Sequence, residues 1–379
     1  MAKGNSWQRR PRGLTLVELL VAMVVGLFLV GGVAAVMVDS KEHFLMEQET
    51  AYLQENARFA VEQLTYDIRM AGYFGCNATG RLTNTLVNST AASSGSYSAT
   101  GIKGFEYSEL MDADFPAAVE PEINPDTDVV VINRGSDLDS MQVAGHLAAT
   151  ATITLAAPAK LEAGDVLVMA APSCRNMTIF QMAGPAGAGP TLQVQHGTGS
   201  VTPGNCHAAL SRNAGGGYRC DGPPPAGNLG ISYPAGSSLM RFVSHGYFIG
   251  DSAITGLPSL FRMTFERSGS TSTNSIEELV SGVEDMEVIY GVDLSATPDG
   301  VIDRYYSADA ITLEEAAAPN YLAWDRVMTA RVTLIMRSTR PVFERPLAID
   351  LSEGFTFNDR FMRQKVTTTV RLRNRGLGV

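Results

Sequence analysis

The strongest pattern in the chain is an uninterrupted apolar block, LLVAMVVGLFLVGGVAAVMV, at residues 19–38. It carries no charged residue, and about twenty apolar helical residues are enough to cross the hydrocarbon core of a bilayer. From residue 39 onward the pattern becomes amphipathic, and neither Gly nor Pro interrupts it before Gly72. We therefore predict one helix over residues 14–72, with a membrane half and an amphipathic half.

The amphipathic half has one apolar face, because its apolar residues recur at spacings of three and four. They are Leu53, Ala57, Ala60, Val61, Leu64 and Ile68. The charged residues fall mostly outside this face, and we expect solvent to surround them; they are Glu47, Glu49, Glu55, Arg58, Glu62 and Asp67. The apolar face is expected to pack on the rest of the chain.

Beyond the helix the pattern changes to that of β-structure. Residues 73–99 are rich in Ser, Thr, Asn and Gly, which is typical of a connecting loop. The apolar period then shortens to two, or to short apolar runs, and both patterns predict strands. We expect strands at residues 128–133, 165–169, 239–249, 260–267, 286–292, 327–337 and 365–373, loops at 184–190 and 213–230, and a short acidic stretch at 276–285. The predicted fold class is α+β, with a long N-terminal helix packed on a C-terminal antiparallel β-sheet domain that has loop-rich insertions.

The residues before the apolar block predict its orientation. The first thirteen residues hold four basic residues and no acidic one: Lys3, Arg9, Arg10 and Arg12. By the positive-inside rule the short N-terminus stays in the cytoplasm and the remaining chain is exported. An ordinary secretory signal has a shorter apolar region that ends in a small-residue cleavage site. Here the small residue, Gly13, precedes the block, so cleavage after it removes a basic leader and keeps the membrane helix.

Glu18 is an acidic residue at the start of the apolar block. A carboxylate at bilayer depth costs about 2.5–3.5 kcal/mol and usually has a specific partner. Cleavage after Gly13 creates such a partner, the free amine of Leu14. The alternative is a carboxylate in the headgroup region that interacts with the positive helix N-terminus, worth about 0.3–1 kcal/mol. Physical chemistry alone leaves both open, and the order of a basic leader, Gly, apolar residues and Glu favours the first.

That order resembles a known export signal. The sequence GLTLVELL at residues 13–20 is similar to the class III signal of type IV prepilins and type II secretion pseudopilins. The resemblance implies that a prepilin peptidase cuts after Gly13 and methylates the new N-terminus, Leu14. It also implies that Glu18 matches each subunit to the N-terminal amine of its neighbour during assembly. The family usually has Phe where this chain has Leu14.

Further stretches resemble the large minor pilins of the PilW family. They lie at residues 54–60, 67–76, 283–293, 331–338 and 367–375, whereas residues 80–270 carry little resemblance. The resemblance implies a type IV pilin-like fold and a complex with other minor pilins that primes pilus assembly and sits at the pilus tip. Its other implied partners are the major pilin, the prepilin peptidase and the inner-membrane assembly platform.

The resemblance also implies a domain organisation and a location. Residues 1–13 are a leader that is removed, residues 14–72 are the helix, spanning the membrane at about 19–38, and residues 73–379 are an exported β-rich domain. The protein is expected in the bacterial inner membrane, with this domain in the periplasm, and then in the pilus. Two alternatives remain: a J-type minor pseudopilin of type II secretion, or a permanently anchored periplasmic domain for binding or adhesion.

Net charge and cysteine content indicate which partners and which disulfides to expect. The formal net charge is −10, and removal of the four basic leader residues leaves −14, so we expect no nucleic-acid partner. An exported chain with four cysteines is expected to form disulfides. Cys206 with Cys220 is preferred because this pair closes a short Gly-rich loop, which leaves Cys76 with Cys174. The sequence does not choose firmly among the three possible pairings.

The sequence contains no pattern typical of an enzyme. Its five histidines form no H-E-x-x-H pair, and neither a G-x-S-x-G motif nor a P-loop is present. We therefore predict no catalytic residue and no cofactor. Asp293, Asp299 and Asp303 are oxygen ligands of the kind that calcium binds, but their spacing is not that of an EF-hand and Pro298 lies between them. A plain turn is favoured there.

Overall fold

The computed structural model describes two α-helices and seventeen strands. The described residues are 15–76, 81–87, 100–107, 123–136, 140–187, 189–198, 204–206, 208–210, 230–268, 271–295, 299–317, 323–351 and 356–374. Helix α1 spans Leu16–Met70 and helix α2 spans Ala308–Ala317. The strands are β1 Arg81–Asn84, β2 Ile102–Phe105, β3 Val129–Gly135, β4 Met141–Leu147, β5 Thr152–Lys160, β6 Val166–Ala170, β7 Asn176–Gln181, β8 Pro190–Gln195, β9 Ser238–Asp251, β10 Pro258–Ser268, β11 Thr271–Ser281, β12 Val283–Val292, β13 Arg304–Tyr306, β14 Val327–Arg337, β15 Leu347–Asp350, β16 Thr356–Asp359 and β17 Arg363–Arg371.

Helix α1 runs without a break through both halves that the sequence predicts. It begins after Thr15, whose side chain caps it, and ends at Met70, two residues before the predicted end. The chain turns at Gly72, which has φ +72°, a conformation that glycine adopts without strain. A Cβ atom on Gly101 would lie 2.5 Å from the Gly72 nitrogen, so the chain packs closely around this turn.

Strand β9 is the centre of the larger sheet. It pairs antiparallel with β10, β3, β4 and β6 along its length, and the whole sheet contains eleven strands. Its main path has the order β1-β7-β6-β9-β4-β5-β8. Two further branches pair with β9: β3, which also pairs with β2, and β10, which also pairs with β11. Strands β9 and β10 confirm the strand pair predicted at residues 239–249 and 260–267.

A second sheet has the order β13-β12-β14-β17 and is antiparallel throughout. Strand β14 has the predicted bounds, and its inward residues from Met328 to Met336 are buried. The opposite face is more covered than expected, since Thr329 and Thr333 are also buried. Strands β15 and β16 form a separate hairpin between β14 and β17 in the chain.

The apolar face of α1 packs between these two sheets. Leu53, Leu64 and Ile68 are at most 1% exposed, and they share one core cluster with residues of β3, β9, β10, β12, β14 and β17. A second cluster lies within the part of the larger sheet formed by β4–β8. The amphipathic half of α1 is therefore an integral part of the core.

Several features differ from the sequence expectation, and many of the described strands lie where none was expected. Residues 73–99, predicted as a loop, include the strand β1, and the acidic stretch at 276–285 begins within strand β11. Strand β1 pairs with β7 in parallel, so the larger sheet is mixed rather than purely antiparallel. Most of the predicted loop at 213–230 lies outside the described residues.

Candidate assembly site

The start of α1 is organised by Thr15 and Glu18. The Glu18 backbone N–H donates to Thr15 Oγ1 at 3.3 Å, and the Thr15 backbone N–H donates to Glu18 Oε2 at 3.2 Å. This reciprocal arrangement is a capping box, which satisfies two N–H groups that a helix start leaves without partners. Gly13 and Leu14, the predicted cleavage and methylation residues, lie outside the described residues.

The geometry leaves Glu18 able to accept a further charged donor. Its side chain is exposed, and both hydrogen bonds that it accepts from Thr15 end on Oε2. The carboxylate also faces the helix N-terminus, where the backbone dipole favours negative charge. An amine brought to this end of α1 would therefore meet a carboxylate with an oxygen open to it.

No described part of the chain covers the membrane half of α1. The large apolar side chains between Leu16 and Val38 are 49–78% exposed. Among the described residues α1 is the one helix long and apolar enough to cross a membrane, and its most apolar window is unburied. Apolar surface of this extent requires lipid or other apolar helices as its surroundings.

The amphipathic half is held first by apolar contacts. The sequence predicted this face, and Leu53, Ala57, Ala60, Leu64 and Ile68 are all buried. Two polar contacts border it, because Asn56 Nδ2 and the Tyr52 hydroxyl both donate to the carbonyl oxygen of Ser281, at 2.9 and 3.3 Å.

Glu49 holds the membrane-proximal end of this half. Its carboxylate is 3% exposed and accepts from the Thr339 backbone N–H at 2.9 Å and from Arg340 Nε at 2.8 Å. The Thr339 hydroxyl donates to it as well, at 3.0 Å. A buried carboxylate needs such partners, because burial of an unpaired charge is very costly. The contact joins α1 to the segment that follows β14.

Asp67 holds the other end. It is 2% exposed and accepts from Tyr247 OH at 2.6 Å, from Arg134 Nε at 3.3 Å and from His245 Nδ1 at 2.5 Å. Burial alone would raise the pKa of Asp67, but the hydrogen bonds and charges of these partners outweigh it and hold the pKa below its usual range. Asp67 therefore remains a carboxylate that ties α1 to strands β3 and β9.

The expectation that Glu49 and Asp67 lie on the solvated side is wrong. Both stand on the apolar stripe itself, since positions 49, 53, 57, 60, 64 and 67 follow one another at spacings of three and four. The sequence signal was present in these spacings. It was missed because acidic residues were assigned to solvent by their type rather than by their helical position.

One disulfide joins the end of the helix region to the larger sheet. Cys76 and Cys174 are bonded, with their Cα atoms 5.5 Å apart. Cys206 is also disulfide-bonded. Cys220 lies outside the described residues, so the predicted Cys206–Cys220 pairing stays a prediction.

The aspartates considered for calcium form a hydrogen-bonded turn. Asp293 accepts the backbone N–H groups of Ser295, Asp299 and Gly300 at 2.8–3.1 Å, and Asp303 accepts that of Leu294 at 2.7 Å. Burial raises the pKa of Asp293, but these N–H groups outweigh that effect and the pKa lies below its usual range. The carboxylate oxygens are thus directed at the backbone, which is the geometry of a turn.

The histidines are dispersed over the described structure. His43 is exposed on α1, His245 contacts Asp67, His146 contacts His196, and His207 lies outside the described residues. In the part of the chain that the structure describes, no group of three or more His, Cys, Asp or Glu side chains is arranged to hold a metal ion.

Two family models match the chain. Residues 8–34 match the prokaryotic N-terminal methylation motif, and residues 246–374 match the type IV pilus-assembly protein W, PilW. Neither the curated proteins nor the solved structures gave a match. The first match covers the start of α1, and the second runs from within β9 to the end of the described chain. The chain therefore matches the prepilin-type N-terminal motif at one end and the PilW family at the other, and the two matches together support a minor pilin of the type IV pilus.

Proposed function

We propose that this protein is a minor pilin that takes part in priming type IV pilus assembly, in a tip complex with other minor pilins. The observation that carries the proposal is the single helix α1. Its exposed apolar half continues without a break into a half that is built into the β-sheet core. A subunit of this form has one apolar segment that can lie in the membrane or the filament. It also has one folded body, formed by the amphipathic half of α1 and the β-sheets, that lies outside both.

Processing is the first step of the proposed sequence. A prepilin peptidase cuts after Gly13, removes the basic leader and methylates the Leu14 amine, and the match of residues 8–34 to the methylation motif supports this. The membrane half then anchors the subunit in the bacterial inner membrane, with the β-rich body in the periplasm. Loss of the leader leaves an uncharged helix start apart from Glu18 and the new amine.

Transfer into the pilus is the second step. Lipid and packed pilin helices are both apolar surroundings, so moving the membrane half between them changes little apolar exposure. Glu18 then determines where the incoming subunit is placed, because its carboxylate costs about 2.5–3.5 kcal/mol in an apolar medium unless it has a partner. We propose that it accepts the Leu14 amine of a neighbouring subunit while Thr15 continues to cap the helix. The inner-membrane assembly platform performs the work of extraction.

The position at the tip rests on the size of the body. The chain has 379 residues, and its body combines an eleven-stranded sheet with a four-stranded one. A subunit with so large a body suits a rare initiator better than a closely repeated shaft subunit. Its other partners in this proposal are the major pilin and the prepilin peptidase.

The first experiment measures the mass of the N-terminal peptide from membrane-isolated protein, with and without the prepilin peptidase. The proposal requires a methylated Leu14 peptide that depends on the peptidase. An intact leader in both samples would instead indicate a permanently anchored periplasmic domain.

A second experiment tests the role in assembly. Surface pili are counted in cells that lack this protein and carry either the wild-type chain, Glu18→Gln or Glu62→Gln. Glu62 is an exposed residue of the same helix and serves as the matched control. We expect the Glu18 variant to be processed yet fail to restore pili, and the control to restore them. If the wild-type chain restores protein secretion by a type II system instead of pili, the protein is the type II pseudopilin of the alternative. If antibodies against this protein label the whole pilus shaft, the tip position is refuted.

A further inference from the structure

A pair of buried histidines lies in the larger sheet, at sequence positions outside both family matches. His146 is on β4 and His196 directly follows β8; they are 8% and 0% exposed. Their Nε2 atoms are 2.9 Å apart, and the two rings meet edge to face with centroids 5.0 Å apart. The Phe180 ring packs against His196 at 5.8 Å.

The hydrogen bonds define where each ring carries its proton. The Tyr233 backbone N–H donates to His146 Nδ1 at 3.1 Å, so this nitrogen must be unprotonated. A neutral His146 then carries its proton on Nε2 and donates it to His196 Nε2. His196 is therefore protonated on Nδ1. This assignment follows from the donors and acceptors alone.

An added proton breaks this arrangement at whichever ring takes it. On His146 the proton would sit on Nδ1, opposite the Tyr233 N–H, and two donors would face each other. On His196 it would sit on Nε2, opposite the His146 N–H. The hydrogen bond at His146 Nδ1 and the one between the two Nε2 atoms are therefore both made only when both rings are neutral, and protonation requires local opening.

No charged side chain in the described surroundings compensates for such a proton. The described residues that contact the pair or lie opposite it come from β4, β5, β7 and the segments at 205, 208 and 232–233. The one charged residue on these elements and on β8 is Lys160, at the end of β5. Tyr233 is the other titratable group, and its hydroxyl is 2.6 Å from Thr178 Oγ1. His207 lies outside the described residues.

The electrostatic surroundings, like the hydrogen bonds, favour the neutral form of both rings. Burial lowers the pKa of both rings, and the charge of His146 lowers that of His196 further, to about 3, although backbone groups of Ala208 and His196 oppose it. Because these pKa values are lower in the fold than in the unfolded chain, the neutral pair stabilises the fold fully above about pH 6.5. That stabilisation is lost as the pH falls from there towards the folded values.

The pair also joins segments that are distant in the sequence. Ser232 Oγ donates to the His146 carbonyl oxygen at 3.2 Å, and the His196 N–H donates to the Ala151 carbonyl oxygen at 2.9 Å. The carbonyl oxygen of His196 accepts from Asn205 Nδ2 at 3.3 Å. Local opening at the pair would therefore break hydrogen bonds of β4, of the end of β8 and of the residues just before β9.

We propose that the His146–His196 pair is an acid-sensitive latch, closed when both imidazoles are neutral and opened locally when either takes a proton. In mild acid it releases the described segments at residues 141–147, 189–198 and 230–237 while the helix-bearing core stays folded. This device is independent of the proposed function, because it uses no residue of α1.

Hydrogen exchange of the full chain in detergent micelles tests the latch, with rates corrected for the intrinsic effect of pH. Between pH 7.5 and 5.5 we expect protection to fall roughly tenfold if one ring is protonated on opening and about a hundredfold if both are. The fall should be confined to peptides covering residues 141–147, 189–198 and 230–237. Peptides from α1 and β14 should keep their protection.

Two variants and a matched control sharpen the test. His196→Gln places an amide oxygen near the position of Nε2 and cannot be protonated, so the acid response should shrink to about tenfold at most. The double variant H146N/H196Q should lose it entirely, whereas His43→Gln, at an exposed site on α1, should respond as the wild type does. Protection that is unchanged from pH 7.5 to 5.5 in the wild type, or an equal fall in the double variant, would overturn the proposal.

A measurement on the wild-type chain covers the case in which the variants do not fold. Nitrogen-15 NMR with labelled histidine distinguishes ring tautomers, and it should find His146 protonated on Nε2 and His196 on Nδ1 at pH 7.5. A ring of this pair that titrates near pH 6.5 while protection is retained would refute the latch.

Discussion

Replacement of Asp67 by Asn tests most directly how α1 is held in the body. Asp67 is 2% exposed and accepts hydrogen bonds from Arg134, His245 and Tyr247. Asn has nearly the same size but no charge, so its attraction to the Arg134 guanidinium is lost while that side chain, 8% exposed, stays buried. Removing one member of a buried ion pair costs about 3–5 kcal/mol. Because the Asn carbonyl oxygen can replace Oδ2 and still accept from His245 and Tyr247, we expect the lower end of this range, about 3 kcal/mol.

Urea unfolding of the full chain in detergent micelles at pH 7 measures this loss. Trp324 is 2% exposed in the core that α1 shares, and its fluorescence reports the unfolding of that core. Glu62→Gln is the matched control, since Glu62 is exposed on the same helix, and its effect should stay within about 0.5 kcal/mol. The identical micelle cancels the contribution of the membrane half.

The pH dependence of the difference is a further check. The pKa of Asp67 is lower in the fold than its reference value of 3.8, so its charge stabilises the fold above that value. The contribution is lost as the pH falls through the folded pKa. The difference between wild type and D67N should therefore be constant from pH 7 to about 5 and shrink in stronger acid. A loss below about 1 kcal/mol at pH 7 would refute the assignment of Asp67 as a buried anchor.

Three further predictions concern other parts of the fold. Leu64→Ala should cost about 2–5 kcal/mol in urea unfolding because Leu64 is fully buried, whereas Phe59→Ala, at a 45% exposed site, should cost less than about 1 kcal/mol. Joint replacement of Cys76 and Cys174 by Ala opens a link across 98 residues and should cost about 2–5 kcal/mol; a loss near zero would show that the bond does not restrict the unfolded chain. Asp293→Ala should lower exchange protection in residues 299–303 by about tenfold, and added calcium should leave the wild-type melting temperature unchanged if the site is a turn.

The elements predicted well from the sequence are those whose pattern is local and regular. Helix α1 has an apolar block and then one apolar stripe, and both follow from spacing along a single segment. Strand β14 alternates cleanly over its whole length, so its bounds were predicted without error. In both cases the spacing of apolar residues within the element itself determines which side chains become buried.

The elements that were missed depend on partners elsewhere in the chain. Strand β11 pairs with β10 alone among the described strands, and its polar sequence shows no apolar alternation. The partners of Glu49 and Asp67 come from β3, β9 and the segment after β14, which no local pattern relates to the helix. The His146–His196 contact joins residues 50 positions apart, and each histidine alone looks like an ordinary core residue.

The two buried carboxylates of α1 define where the subunit can bend. Glu49 and Asp67 are eighteen positions apart, about 27 Å along a helix, and each is fixed to a different part of the body. Movement of this stretch would break an ion pair at one end or the other, so it moves as one piece with the sheets. The ten residues from Asp39 to Gln48, about 15 Å of helix, lie between the membrane block and the first buried anchor. A change in angle between body and membrane must therefore occur in this segment or in the membrane half before it.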